Sequence, residues 1–412
     1  MKLVIRYWSL VIGFWFGASM LSAQEPTPSQ LVTLWDASGQ SLTGTLQEIT
    51  SRSVLLKTTA AESTDWRDVA LLRFNDHSKP MEPRGAAIWL ANGDRLIAGG
   101  TSIDNERLFA AWLRFPDWPT ISLPLESVRG CSLELPASRV ACDEITQWIL
   151  NRKEARDELR LLNGDTFAGE LESWHEGEFQ LKAATGNLVV KSNDVLHIGF
   201  NPDLLARSES KELCWLVSLT DGSRVTVIAS QSEFKADVLK ATHVTGVVWD
   251  IPLAEVCELR VLRGRVTWLS DLKPLDFQHT PFLTGSRPWP LRLDQSVAGG
   301  PLRLNGREFP KGLGMHSRSI ATFELNGRYR SFRAIVGLNG TTTGTGTAEC
   351  SIEVDGRRVW SEPRLQRGRA IEVSLPNELI KAKRLTLLVD FGEQGDMQDH
   401  VNWCDAMLLP DQ

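Results

Sequence analysis

The chain has 412 residues, of which 42% are hydrophobic and 23% are charged, and its formal net charge is -6 at pH 7. This length is sufficient for roughly two to four domains, each with its own hydrophobic core. The acidic balance excludes broad nucleic-acid binding, which requires basic surface that displaces counterions from the phosphate backbone. We therefore expect no nucleic-acid partner.

Residues 1–23 have the pattern of a secretory signal peptide. Lys2 and Arg6 supply the positive end, the stretch 10–16 is apolar, and two small residues at 22–23 precede the expected cleavage point. This pattern predicts export from the cytoplasm.

The position three before that cleavage point is Leu21, which is larger than usual, so an uncleaved membrane anchor is the alternative. Residues 24–30 are expected to form a flexible N-terminus. No later segment reaches the ~20 uninterrupted apolar residues that a membrane-spanning helix requires. The sequence therefore predicts a secreted or periplasmic protein with no membrane span after the signal peptide.

Four related units precede residue 265. Each opens with an apolar run into a glycine turn and closes on the pattern Val-x-x-apolar-x-apolar. The turn glycines are Gly39, Gly93, Gly164 and Gly222, and the closing valines are Val69, Val128, Val195 and Val256. The four intervals from glycine to valine are 30, 35, 31 and 34 residues, a regularity that indicates a repeat. The predicted β repeats span 31–76, 85–136, 158–202 and 211–263.

Each repeat has the pattern of short antiparallel strands. Asn-Gly and Asp-Gly adopt the positive φ of tight hairpins, and stretches such as 53–57 and 178–182 alternate apolar and polar residues. About 45 residues with four or five strands fit a small barrel of the SH3 or Sm type, too small to be stable alone. We therefore expect neighbouring repeats to pack edge to edge. Four blades of a propeller are the alternative.

A helical connector is predicted at 137–157, between the second and third repeats. Within it, residues 143–156 place Ile145, Trp148 and Ile149 on one face at helical spacing, with charged residues opposite. This pattern is typical of a helix that packs as a strut.

The six cysteines lie at positions 131, 142, 214, 257, 350 and 404. Outside the cytoplasm an even number permits disulfides. Sequence proximity within modules favours Cys214 with Cys257 and Cys350 with Cys404. Free thiols buried as small apolar residues are the alternative.

Residues 262–300 are rich in proline and in large aromatic residues. Such dense proline favours extended chain over helix, and a solvated linker would not carry so many aromatic residues. We expect this segment to lie against a domain. Its prolines and aromatics are Pro274, Pro281, Pro288, Pro290, Trp268, Phe277, Phe282 and Trp289.

The C-terminal third contains a series of motifs in a characteristic order. They occupy 270–274, 312–316, 323–327, 354–356, 385–390 and 399–403. With these motifs, residues 264–410 resemble the NPCBM family, carbohydrate-binding modules found beside glycoside hydrolases of families 98 and 27. The resemblance implies a galactose-binding-like jelly-roll β-sandwich and a glycan or polysaccharide partner. The predicted fold class is thus all-β: tandem small SH3/Sm-like barrels followed by this sandwich.

The same tail offers candidate carbohydrate-binding residues in two loops, near 316 and near 400. A sugar site requires planar polar groups that serve the hydroxyl groups beside an aromatic ring that packs on the C–H face. His316, Arg318, Asp399 and Trp403 supply these types. The alternatives are a histidine that satisfies buried backbone groups and a tryptophan that belongs to the core.

No metal ligand or catalytic residue is predicted. The loop 337–346 reads Gly-Leu-Asn-Gly and then a threonine and glycine run, where family members tend to have paired acidic residues, so calcium remains possible without support. Nucleophile-elbow, zinc-helix and phosphate-loop motifs do not occur in a credible context. We therefore expect a protein that is not an enzyme and needs no cofactor.

These observations predict an exported, non-catalytic carbohydrate-binding protein whose repeats serve as a spacer or docking surface. One alternative is a structural scaffold of the cell envelope that contacts other envelope proteins without binding sugar. Another is an accessory subunit of a polysaccharide-degrading system.

Overall fold

The computed structural model describes residues 30–75, 83–114, 120–235, 237–283, 285–340, 346–393 and 395–411. Within these ranges the chain is nearly all β with one α-helix, which confirms the predicted fold class. The predicted signal peptide, all but the last residue of 24–30, and most of the threonine-rich loop lie outside them. No helix of the described part is both long and apolar enough to cross a bilayer.

The first three repeats share one topology of five strands. In each, the first strand pairs antiparallel with both the second and the fifth, and a short 3-10 turn precedes the fifth. The strands are β1 (Leu31–Asp36), β2 (Ser41–Ile49), β3 (Ser53–Lys57), β4 (Ala61–Asp65) and β5 (Val69–Phe74); β6 (Ala86–Leu90), β7 (Arg95–Asp104), β8 (Arg107–Trp112), β9 (Ile121–Pro124) and β10 (Val128–Ser132); β11 (Asp157–Leu161), β12 (Thr166–His175), β13 (Glu178–Ala183), β14 (Gly186–Lys191) and β15 (Val195–Gly199).

The fourth repeat keeps this order but divides the long second strand in two. A 3-10 turn at Ala229–Gln231 separates the halves, and the second half joins a three-stranded sheet with the next two strands. The strands are β16 (Cys214–Leu219), β17 (Arg224–Ile228), β18 (Glu233–Lys235), β19 (Val238–Thr242), β20 (Val248–Pro252) and β21 (Val256–Leu262).

The closing strands join the repeats in pairs. β5 of the first repeat pairs with β21 of the fourth, with Leu72 opposite Leu259. β10 of the second repeat pairs with β15 of the third, with Cys131 opposite Ile198. The paired closing strands are buried, so the cores of the four repeats merge into one hydrophobic cluster. The second and third repeats, neighbours in the sequence, thus pack edge to edge as expected, whereas the first repeat pairs its closing strand with that of the fourth.

The helix α1 spans Arg139–Leu150, so it begins and ends earlier than the 143–156 that the amphipathic pattern predicts. Ser138 caps its first turn, since its hydroxyl accepts from the Ala141 amide at 3.4 Å. Ile145 and Ile149 pack against the outer face of the second repeat. The helix is therefore a strut on the repeats, as its apolar face requires.

The C-terminal region is a sandwich of two antiparallel sheets. Sheet I has the order β24-β27-β34-β29-β32, with β22 beside β34, and sheet II has the order β23-β28-β33-β30-β31. A separate hairpin is formed by β25 and β26. The strands are β22 (Thr267–Trp268), β23 (Asp276–His279), β24 (Arg292–Leu293), β25 (Leu302–Leu304), β26 (Arg307–Phe309), β27 (Gly312–His316), β28 (Ser319–Glu324), β29 (Tyr329–Leu338), β30 (Thr347–Val354), β31 (Arg357–Gln366), β32 (Ala370–Leu375), β33 (Arg384–Phe391) and β34 (His400–Pro410).

The predicted disulfides are wrong, because none of the four candidate cysteines, Cys214, Cys257, Cys350 and Cys404, forms a disulfide. Cys214 lies opposite Leu262 in the strand pair, whereas Cys257 lies five positions earlier on β21, about 16 Å along the strand. A disulfide requires Cα atoms within about 7 Å. Cys350 faces the core between the two sheets, while Cys404 packs with the β25–β26 hairpin. Five of the six thiols are buried as small apolar groups.

Candidate functional site

Two strands of sheet I bring the predicted loops near 316 and 400 together. β27 ends at His316, β34 begins at His400, and the antiparallel register places these two residues directly opposite each other. Their ring centroids are 5.3 Å apart. Residues far apart in the sequence therefore meet at one end of the sandwich because two central strands share that end.

A cluster of four aromatic rings occupies this end, and we call it the rim cluster: Trp289, His279, His316 and His400. Trp289 stacks on His316 with centroids 4.8 Å apart and planes 10° from parallel. It also lies 5.4 Å from His400, and His279 lies 5.8 Å from His316. Trp289 is half-buried and one face of its indole is covered by His316, so its orientation is fixed.

Trp289 reaches the rim because of the proline-rich segment. Its backbone amide donates to His279 Nδ1 at 3.2 Å, and prolines on both sides keep the chain extended. The sequence analysis did not select Trp289, although it expected this segment to lie against a domain. The combination of an aromatic residue with two flanking prolines beside a polar loop was the signal that could have identified it.

Ser317 connects the members of the rim cluster. Its carbonyl oxygen accepts from His316 Nδ1 at 2.8 Å and from His279 Nε2 at 3.1 Å. Because a carbonyl only accepts, both ring nitrogens carry the proton. His279 is then the Nε2–H tautomer, whose Nδ1 accepts from the Trp289 amide, and His316 keeps Nε2 as an acceptor. The hydrogen bonds thus determine which polar atoms the rim offers.

Asp399 holds this loop from below. It is 1% exposed, and one carboxylate oxygen accepts from the Ser317 hydroxyl at 2.7 Å. Burial raises the pKa of Asp399 to about 6, against the opposing effect of that hydrogen bond. Asp399 is therefore a positioning residue for Ser317, whereas the sequence suggested a carboxylate open to ligand.

The two opposed histidines are neutral at pH 7. Burial, together with the neighbouring His316, lowers the pKa of His400 to about 4. Burial also lowers the pKa of His316, which is only 3% exposed. A neutral imidazole can both donate and accept a hydrogen bond, so the rim presents polar aromatic groups without charge.

Arg318 follows Ser317 and is the charged group of the rim. Its side chain is 53% exposed, and Nε lies 3.5 Å from Asp390 Oδ2. Of the four predicted site residues it is the one that solvent reaches freely. Three apolar side chains that are close in sequence to Trp289 or to His400 are also exposed: Phe282, Leu283 and Met397.

Trp403 does not belong to the site. It is 0% exposed and packs edge to face on Trp360 at 5.9 Å, inside the core between the two sheets. Successive residues of β34 point to opposite faces of sheet I, and Trp403 lies on the face that points into the core. The prediction that Trp403 contacts a ligand is therefore wrong, and Trp289 takes the aromatic role.

No group of three or more histidine, cysteine or acidic side chains in the described ranges has the arrangement of a metal site. The loop that the sequence analysis considered for calcium leaves the sandwich after Asn339, whose amide donates to the His400 carbonyl at 2.8 Å. Residues 341–345 of that loop lie outside the described part.

Comparisons with known proteins concern mainly the sandwich. A protein of Renibacterium salmoninarum named "Putative endo-alpha-N-acetylgalactosaminidase" is 28% identical over 134 residues, which are 31% of this chain and 9% of that protein. The chain thus spans less than a tenth of the length of this relative.

Solved structures similar to the chain include two modules of Clostridium perfringens. One is CBM51 of GH95 in complex with methyl-galactose, with 21% identity, a TM-score of 0.31, and coverage of 35% of this chain and 99% of that one. Another contains CBM51-2 of ZmpB in complex with GlcNAc, with 22% identity, a TM-score of 0.31, and coverage of 45% and 43%. At the level of families, residues 265–409 of this chain match the NPCBM/NEW2 domain.

Proposed function

We propose that the C-terminal sandwich binds a glycan at the rim cluster together with Arg318. The observation that carries this proposal is the half-buried Trp289 indole, held parallel to His316 at 4.8 Å beside two further imidazoles. The match of residues 265–409 to the NPCBM/NEW2 domain supports the same function from sequence. We also propose that the repeats are small barrels of the Sm or SH3 type. They would serve as a spacer that carries this site.

The chemistry of the rim is suited to a neutral sugar. A pyranose has a weakly apolar C–H face and a set of hydroxyl groups, and an oriented indole can pack on that face. His316 Nε2 can accept from a hydroxyl group, the neutral His400 imidazole can both donate and accept, and Arg318 adds a charged planar donor. Because Trp289 and Ser317 are fixed by hydrogen bonds, little conformational freedom is lost on binding.

The geometry favours binding over hydrolysis at this rim. A glycosidase places two carboxylates across the scissile bond, roughly 5 to 9.5 Å apart. Asp399 is buried and bound to Ser317, and Asp390 is paired with Arg318. We therefore propose a non-catalytic role for the exported protein, in which the sandwich holds the chain on a glycan.

A role as an accessory to a polysaccharide-degrading enzyme is the second proposal. The relative from Renibacterium salmoninarum carries the matched region as only 9% of a protein named as an endo-alpha-N-acetylgalactosaminidase. A segment of this kind beside a much larger enzyme fits delivery to substrate. In this chain the repeats would supply the surface on which a separate enzyme docks.

The test is isothermal titration of the full chain with galactose, N-acetylgalactosamine and N-acetylglucosamine and with oligosaccharides that contain them. Trp289→Ala should weaken binding on the order of tenfold or more, since the stacked ring is lost. Arg357→Ala is the matched control for Arg318→Ala, because Arg357 is exposed at the far end of β31 and pairs only at the surface with Glu378. Absence of binding across the panel would favour the scaffold role instead.

A further inference from the structure

A cavity of about 160 Å³ lies where the repeats meet the sandwich, remote from the rim cluster in the fold. It is formed by the second and fourth repeats, by the start of α1, and by the β25–β26 hairpin. A cavity of this size holds a molecule of about six heavy atoms, as apolar cavities of similar volume hold benzene. Here, however, the walls combine apolar side chains such as Trp89 and Leu135 with charged ones.

Arginine is the most frequent residue type in the walls, and we call this space the arginine cavity. Six guanidinium groups face two carboxylates: Arg84, Arg95, Arg139, Arg224, Arg303 and Arg307 against Glu258 and Glu308. Behind the walls, Asp143 binds Arg303, Asp221 approaches Arg95, and Arg260 binds Asp405. These outer groups reduce the positive excess but do not cancel it.

Glu308 is the carboxylate that several arginines of the cavity share. This one carboxylate pairs with Arg95 at 3.3 Å, with Arg303 at 3.3 Å, and also with Arg224. Each guanidinium has five N–H donors, whereas a carboxylate has about four lone-pair positions. Arg95 also donates to the Gly222 carbonyl and Arg303 to Asp143, so three guanidinium groups meet at one carboxylate and hold their positive charges close together.

The arginines are also dehydrated and crowded. Arg95 is 8% exposed, and burial lowers its pKa to about 10. Burial, together with Arg95 and Arg303, lowers the pKa of Arg224 well below its ordinary value. Buried charges of like sign that are held close together are costly. An anion in the cavity would offset that cost by supplying acceptors to several guanidinium groups at once.

The start of α1 adds to the positive field. Ala137 and Arg139, on either side of the N-cap Ser138, both line the cavity. A helix N-terminus carries a partial positive charge and free amide donors. The helix is 12 residues long. The positive field of its N-terminus adds to that of the guanidinium groups.

We propose that the arginine cavity binds a small oxyanion, a sulfate, phosphate or carboxylate group, and that this ligand links the repeats to the sandwich. Planar guanidinium groups recognise such groups through paired hydrogen bonds. The walls come from segments far apart in the sequence, so the ligand would contact the second repeat, the fourth repeat and the sandwich together. Its binding would therefore stabilise their arrangement.

The experiment is a thermal melt and a calorimetric titration of the full chain with sodium sulfate and sodium phosphate, against sodium chloride at equal ionic strength. A saturable rise in melting temperature with sulfate or phosphate beyond that with chloride is expected. Sodium acetate forms the third arm: a response to acetate alone assigns the oxyanion to a carboxylate, and a response to sulfate or phosphate alone assigns it to a free inorganic ion.

Three variants test the proposal, because each is expected to change the anion affinity by a different amount or in a different direction. Arg224→Met should weaken anion binding on the order of tenfold, because a charge-assisted contact is lost. Arg84→Ala, at an exposed position, should weaken anion binding less. This variant provides a second measurement if Arg224→Met fails to fold. Glu308→Gln should strengthen binding, since the competing carboxylate charge is removed, which a purely structural role would not produce.

Arg357→Ala and Arg318→Ala should leave the anion response unchanged, so this test is independent of glycan binding at the rim. Equal responses to sulfate, phosphate, acetate and chloride in the wild-type chain would overturn the proposal. A Glu308→Gln variant that folds and binds the anion more weakly would also contradict it.

Discussion

Arg260 of the fourth repeat donates through Nη1 to Oδ1 of Asp405 in the sandwich at 2.5 Å, and both side chains are buried. The same guanidinium donates to Glu258 at 2.6 Å. Two regions that the sequence analysis treated as separate modules thus share a buried ion pair. The pair lies between β21 and β34, the last strands of the repeats and of the sandwich.

Arg260→Met should destabilise the protein by about 3 to 5 kcal/mol, because the buried Asp405 carboxylate loses its ion-pair partner, whereas Glu258 keeps Arg73 and Arg307. Chemical denaturation should show the loss, and the sandwich and repeats should begin to unfold separately. Arg357→Ala, which removes an exposed pair, should change stability by less than about 1 kcal/mol. Equal effects of the two variants would contradict a junction role for Arg260.

Trp289→Phe should retain more glycan affinity than Trp289→Ala, since a smaller ring can still stack on His316. Both variants should keep the stability of the wild-type protein to within about 1 kcal/mol, because Trp289 is only half-buried. Titration of the sugar panel beside urea denaturation separates binding from folding. Equal affinity in the wild-type protein and both variants would remove Trp289 from the site.

Asp399 gives stability a specific pH dependence. Burial raises its pKa to about 6, above the roughly 3.9 of an unfolded chain, so the folded state holds the proton more tightly. This group therefore opposes folding increasingly as pH rises from about 4 to about 6. Asp399→Asn should remove that loss, a difference of up to about 3 kcal/mol at pH 7.

Urea denaturation of the wild-type protein and Asp399→Asn at pH 4.5 and pH 7 measures this effect. The asparagine can still accept from Ser317, so the loop should keep its position. Asp390→Asn is a control for charge removal near the rim, since Asp390 is partly exposed and pairs with Arg318. A pH slope that is the same in Asp399→Asn and wild type would contradict the buried, raised carboxyl group.

His197 should change the stability of the protein with pH in the direction opposite to Asp399. It is buried against Trp148 at 4.4 Å, and within the described residues neither ring nitrogen has a hydrogen-bond partner. Burial lowers its pKa to about 4, below the ~6.5 of an unfolded chain, so stability is lost as pH falls through this interval.

His197→Phe keeps the ring contact with Trp148 and removes the titrating nitrogens. The variant should be at least as stable as wild type at pH 7 and more stable at pH 5, by up to about 2 kcal/mol. Denaturant titration at the two pH values measures the difference. A variant that loses stability equally at both would indicate a hydrogen bond to His197 instead.

The sequence by itself determined the all-β fold class and the repeated strand pattern, and it indicated the region of the candidate site. The turn glycines and closing valines repeat because each unit needs the same hairpin and the same buried last strand. Local signals of this kind, positive φ at glycine and alternation along a strand, depend on a few neighbouring residues. The motif from 312 to 316 likewise indicated which loop carries polar groups.

The tertiary structure decided which of the candidate residues face solvent and which partners they meet. Trp403 and Asp399 have the composition of site residues, but strand alternation and the Ser317 hydrogen bond direct them inward. Trp289 joins the site, and the cysteines stay apart, through contacts between segments distant in sequence. The arginine cavity has the same origin, since residues from four segments assemble only when the repeats and the sandwich pack together. Such contacts are set by packing in three dimensions, which local pattern in the chain does not encode.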